Sequence, residues 1–156
     1  MTKSRHWSTW WVALVVACWA GGWAQQAPQS ADAQKLTQLR QLAVVIEVDR
    51  QLLTELRKEF PDDRSEAEAY IQRLRELAVK SDPVRLGPLA ARVGEAAPAY
   101  LNWRDKNFTS SEEAAREFVQ SGAREFRNSF TNFTNAILQA VVNHLDSFLD
   151  IVGTGR

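Results

Sequence analysis

The chain has a single cysteine, Cys18, and only two histidines, His6 and His144. One cysteine cannot build a disulfide framework, and one histidine beyond the first 24 residues cannot build a His cluster for a metal. With Cys18 removed or lipidated, no thiol nucleophile is left either. Charge of one sign is also missing, because 19 basic residues face 19 acidic ones. Without Lys3 and Arg5 the 19 basic residues become 17 against the same 19 acidic, a net charge of about −2. A nucleic-acid footprint needs a concentrated basic face, so nucleic acid is not an expected partner. Alternating strand patterns, internal repeats and low-complexity arrays are absent as well. The acidic pairs Asp62-Asp63 and Glu112-Glu113 fall at expected helix starts, where capping accounts for them, and no Glu-x-x-His pair suggests a di-iron bundle. These absences point to a protein that is not an enzyme and carries no cofactor.

What the sequence has is helical periodicity, strongest from Ser111 to Val152. Val119, Ala123, Phe126, Phe130, Phe133, Ile137, Val141, Leu145, Phe148 and Val152 step by three or four residues and predict a buried stripe. Phe118, Phe126, Phe130 and Phe133 are expected in the core. Thr109 or Ser110 with Glu112 and Glu113 marks the start, and Gly153 and Gly155 mark the end. Ser121-Gly122 and the run Asn128 to Asn135 are poor in helix propensity. Two readings stay open, one long helix or two helices hinged near Asn128 to Asn132.

Residues 1–24 read as an export signal. Lys3, Arg5 and His6 precede a mostly apolar run from Trp7 to Ala20, too short and too soon interrupted by Gly21-Gly22 for a comfortable membrane span. Gly22-Trp23-Ala24 suits a general signal peptidase, whereas Val15-Val16-Ala17-Cys18 looks like a lipobox whose cysteine would be lipidated. An uncleaved anchor helped by the leader's tryptophans is a third possibility. Lipid on Cys18 would hold the protein to a membrane surface without a transmembrane helix. The functional part is expected outside the cytoplasm.

Residues 25–33 read as a flexible tether, residues 34–152 as the helical body and 153–156 as a tail. A first helix from about Asp32 to Glu59 carries Leu36, Leu39, Ala43, Ile46, Leu53, Leu56 and Phe60 on one face, widened by Leu42, Val45 and Leu52. Asp49 and Arg50 are expected at its flank, with a buried pair as the alternative that the cost of desolvating charges disfavours. Pro61 stops this helix, and Asp62 or Asp63 caps a second whose core face is Ala67, Tyr70, Ile71, Leu74, Leu77 and Ala78. Arg73, Arg75 and Glu76 form its solvated face. A third helical region is divided by Gly87-Pro88 and Pro98, with Leu86, Leu89, Val93, Ala96 and Ala97 as a small-residue face, and Tyr100 to Lys106 is expected as a turn and exposed corner. Trp103 beside Arg104 and Lys106 either closes the end of the core or contacts a partner. His144 lies one position off the apolar stripe and is expected half-exposed. The architecture this predicts is all-α, an up-and-down four-helix bundle with a long C-terminal helix behind an export signal.

Several of these features together resemble one family. The lipobox-bearing leader, the polar tether, the opening Ala33-Gln34-Lys35-Leu36-Thr37-Gln38-Leu39, the Leu86-Gly87-Pro88-Leu89 segment and the ending Leu145-Asp146-Ser147-Phe148-Leu149-Asp150-Ile151-Val152 look like the cyanobacterial PsbQ-like proteins. That resemblance implies a four-helix lipoprotein on the lumenal side of photosystem II. Such a protein is non-catalytic: it docks on the complex and stabilises the calcium and chloride environment of the oxygen-evolving centre. Cys18 is the one site residue the resemblance carries over. Pro98 and the Asn107 corner depart from the family pattern, and the aromatic last stretch is unusual for it. The alternative is an exported helical interaction module or assembly factor of another envelope or membrane complex.

Overall fold

The computed structural model describes residues 30–106 and 111–153. Residues 1–24, Cys18 among them, lie outside the described residues. The chain divides into two units, residues 1–34 and residues 35–156, and of the first only residues 30–34 are described. The described chain is all-α: α1 (Ala31–Leu56), α2 (Arg64–Ser81), α3 (Gly87–Arg104), α4 (Ser111–Gln120) and α5 (Ala123–Gly153).

Local chemistry sets most boundaries. Helix α1 starts at Ala31, one residue before the expected start at about Asp32 and inside the expected tether, and the Ser30 hydroxyl accepts from the Ala33 amide at 3.3 Å. Asp63 caps α2 by accepting from the Glu66 amide at 3.0 Å. Asp82 ends α2 and accepts from the Arg85 amide at 2.9 Å, which turns the chain into α3.

Two expectations are corrected. α3 is continuous through Pro98, and residues Tyr100 to Arg104 are helical rather than a corner. Pro98 itself is exposed while Val93, Ala96, Ala97 and Leu101 around it are buried, so packing on both sides holds the helix across the missing hydrogen bond. The last stretch breaks at Ser121-Gly122 and not near Asn128 to Asn132, which is helical. Gly122 has φ 74°, a left-handed conformation open to glycine, and this ends α4 and starts α5.

The core lies where α3 meets α2 and α5. All six predicted α2 residues, Ala67, Tyr70, Ile71, Leu74, Leu77 and Ala78, are buried. They pack with Ala90, Val93, Ala96 and Ala97 of α3 and with Phe126, Phe133, Ile137, Ala140 and Val141 of α5. Phe133 and Ile137 are fully enclosed, each worth about 1.5–3 kcal/mol of burial. Phe118 and Phe130 are only half-buried. The stripe also fails at three positions, because Val119 (57%), Leu145 (43%) and Val152 (51%) are exposed.

Helix α1 contributes less than its wide apolar face predicted. Leu52 is its one fully enclosed apolar residue, Leu39, Leu42, Val45, Ile46, Leu53 and Leu56 are half-buried, and Leu36 and Ala43 are exposed. Contacts of Phe60 with Phe130 and of Asp49 with His144 set the direction of α1 antiparallel to α5. Among the described residues, no helix is long and apolar enough to cross a membrane.

Candidate functional site

A polar node joins three helices. Asp49 of α1 is 2% exposed, against the expectation that it lies at the flank with Arg50. Arg50 instead points outward and pairs with Glu47 at 2.6 Å. Asp49 is compensated from elsewhere: Ser81 of α2 donates its hydroxyl to Oδ1 at 2.5 Å, and Nδ1 of His144 of α5 stands 2.8 Å from Oδ2. Two partners on one buried carboxylate satisfy the group that burial would otherwise penalise. Ser81 and His144 both bind Asp49, and the node acts as a clasp between α1, α2 and α5. Sequence reasoning missed it because the partners are 32 and 95 positions away. The one available signal was an acidic residue on an otherwise apolar face, matched by the one histidine beyond residue 24 on another.

An aromatic plug closes the opposite end. Phe60 follows α1 and lies edge-on to Tyr70 at 5.5 Å, Tyr100 at 5.8 Å, Phe130 at 6.0 Å and Phe126 at 6.3 Å. Tyr100 stacks on Phe126 at 4.5 Å. Such pairs add roughly 0.5–1.5 kcal/mol each beyond their buried area. Beside the plug a cleft of about 560 Å³ opens between α1 and α5, lined by Leu53, Leu56, Phe60, Tyr70, Phe130 and Leu138 and rimmed by Arg57 and Lys58. A mostly apolar cleft with cations at the rim can take an apolar side chain whose flank is acidic.

The residues proposed for partner contact form internal contacts. Trp103 packs edge-on against Phe118 at 5.0 Å and donates its indole N–H to the Ala114 carbonyl at 3.1 Å, which holds α4 to α3. Arg104 donates from Nη1 to the Pro61 carbonyl at 2.6 Å and lies 5.6 Å from the centre of the Phe60 ring. Its Nη2 is buried with no hydrogen-bond partner. Lys106 is exposed and paired with Glu117. The three therefore do not form one free patch.

Electrostatics near the cleft are local. Glu55 is buried and receives Lys58 at 2.8 Å and Arg73 at 3.2 Å. The Lys58 ammonium holds its carboxyl below the usual range against the opposing effect of burial, and Arg73 adds to the lowering. Burial pushes the Tyr70 phenol up, with Glu55 contributing. On the surface, hydrogen bonds from Arg50 and then Gln51 hold Glu47 down at about 2. Among the described residues, no group of three or more His, Cys, Asp or Glu is placed to hold a metal ion.

Comparisons with protein-family models, with curated proteins and with solved structures find no match to this chain.

Proposed function

We propose that this chain is a non-catalytic subunit that docks on the lumenal or periplasmic face of a larger membrane complex, with photosystem II as the complex. In this reading the helices form an up-and-down four-helix bundle of α1, α2, α3 and α5, α4 is an accessory element, and residues 1–24 are the export signal with Cys18 as the lipid site. The observation that carries the reading is the open cleft between α1 and α5, an apolar recess lined by Phe60 and Phe130 and rimmed by Arg57 and by Lys58, the latter already paired with Glu55. A rigid bundle presenting such a recess needs only a complementary apolar side chain beside an acidic group on the complex. A lipid tether would raise occupancy through local concentration without new contacts. The sequence resemblance supplies the identity of the complex, and the stabilising effect on the oxygen-evolving centre follows from it.

The test is affinity purification of the full chain from its native membranes, with intact-mass analysis of the mature amino terminus. Photosystem II subunits in the eluate and a diacylglyceryl mass on Cys18 are expected. Thr134 also lines the cleft, and Thr134→Trp or Arg57→Glu should deplete those subunits by roughly tenfold, the value of one interface contact of about 1.4 kcal/mol. A chain that begins at Gln25 and brings down no photosynthetic subunit would sink the photosystem reading. Recovery of a different envelope complex, still lost in the cleft variants, would support the alternative of an interaction module for that complex.

A further inference from the structure

On the outer side of α5 a second periodic set of apolar residues is left uncovered. Leu138 (50% exposed), Val142 (49%), Leu145 (43%), Leu149 (63%) and Val152 (51%) are separated by four, three, four and three residues. That is the spacing of a coiled-coil seam, in which each side chain inserts between residues of a facing helix. The buried set, Phe133, Ile137, Ala140 and Val141, lies on the neighbouring face of the same helix. α5 therefore has two apolar faces, and the body of the protein covers one.

From these observations we infer that the seam pairs with the same seam of a second copy, antiparallel, in a homodimer. Three features favour this occupant. The seam is self-complementary: with a two-fold axis between Asn143 and His144, Leu138 meets Leu149 of the second copy and Val142 meets Leu145, giving four layers. The flanking charges tolerate it, because Asp146 then lies nearest Gln139 of the second copy and the two Asp150 side chains are far apart. An anionic membrane surface is a poor fit, because residues 128–153 contain no Lys or Arg and carry Asp146 and Asp150 beside the seam. Four layers make a small seam, so the dimer is sought up to high micromolar concentration.

This inference stands apart from the docking reading, since the seam runs along α5 away from Phe60 and shares only Leu138 with the cleft. Sedimentation equilibrium of the full chain over about 1–500 μM should show a reversible monomer–dimer curve. Leu145→Glu and Leu149→Glu, both at exposed positions that leave the core intact, should each move that curve at least tenfold to higher concentration. Arg57→Glu, on α1's end of the cleft and away from the seam, should leave it in place. The register is read by mixing Leu138→Cys with Leu149→Cys chains under mild oxidation. A disulfide is expected between the two variants and not within either alone, and it is located by mass in the linked peptides spanning residues 128–156, so Cys18 does not interfere. A chain that stays monomeric throughout, a dimer indifferent to both glutamate variants, or crosslinks only between identical positions would each overturn the proposal.

Discussion

Asp49 and His144 are 95 positions apart in the chain, and their side chains meet at 2.8 Å. Ser81 occupies the other carboxylate oxygen, so one buried charge ties α1 to α2 and α5 where the apolar contacts of α1 are sparse. Asp49→Ala should cost about 1–3 kcal/mol, because the Ser81 hydroxyl and the His144 ring lose the acceptor they face. His144→Ala should cost at least as much, about 1.5–3 kcal/mol, since it leaves the buried Asp49 carboxylate with Ser81 alone. Urea unfolding of both single variants and the double variant should give a coupling of about 1–3 kcal/mol. Additive losses would show that the two residues act independently.

The pH response should come from Glu55. Its folded carboxyl is held below the ordinary range, by Lys58 first and Arg73 also, so folding gains stability above the unfolded value of the group. That contribution is lost as pH falls through the lowered folded value. Midpoints of urea unfolding between pH 7 and pH 3 should therefore fall more steeply for the natural chain than for Glu55→Gln. Parallel curves would assign the acid sensitivity to other carboxylates.

Gly94 lies beneath the Arg75 guanidinium, where a Cβ would stand 2.3 Å from Cζ. Arg75 donates from Nε to the Ala90 carbonyl at 2.8 Å and from Nη1 to Gln72 at 3.0 Å. Gly94→Ala gains helix propensity of about 1 kcal/mol but displaces those bonds, so its net effect should be small. In an Arg75→Ala background the obstacle is gone, and Gly94→Ala should stabilise by about 1 kcal/mol in thermal or urea unfolding.

Gly122 holds φ 74° with open space around its Cα, so a side chain there meets backbone strain and no clash. Gly122→Ala should lower stability by about 1–2 kcal/mol. Gly122→Asn should lose less, because asparagine tolerates the left-handed region. Equal losses for the two would point to a cause other than the dihedral angle.

The sequence by itself determined the helical class, a cap of α2 at Asp62 or Asp63 and the apolar residues of α2's buried face, because each depends on neighbours within one or two turns. Tertiary structure decided the rest. Pro98 signals a break, yet the buried neighbours of α3 carry the helix past it. Periodicity identified α5 as amphipathic but could not say that Leu145 and Val152 stay uncovered, since exposure depends on how far the neighbouring helices extend. Asp49 looked like a surface residue because the cost of burying a charge is visible in the sequence, while the Ser81 and His144 side chains that offset it are brought there only by the packing of α2 and α5.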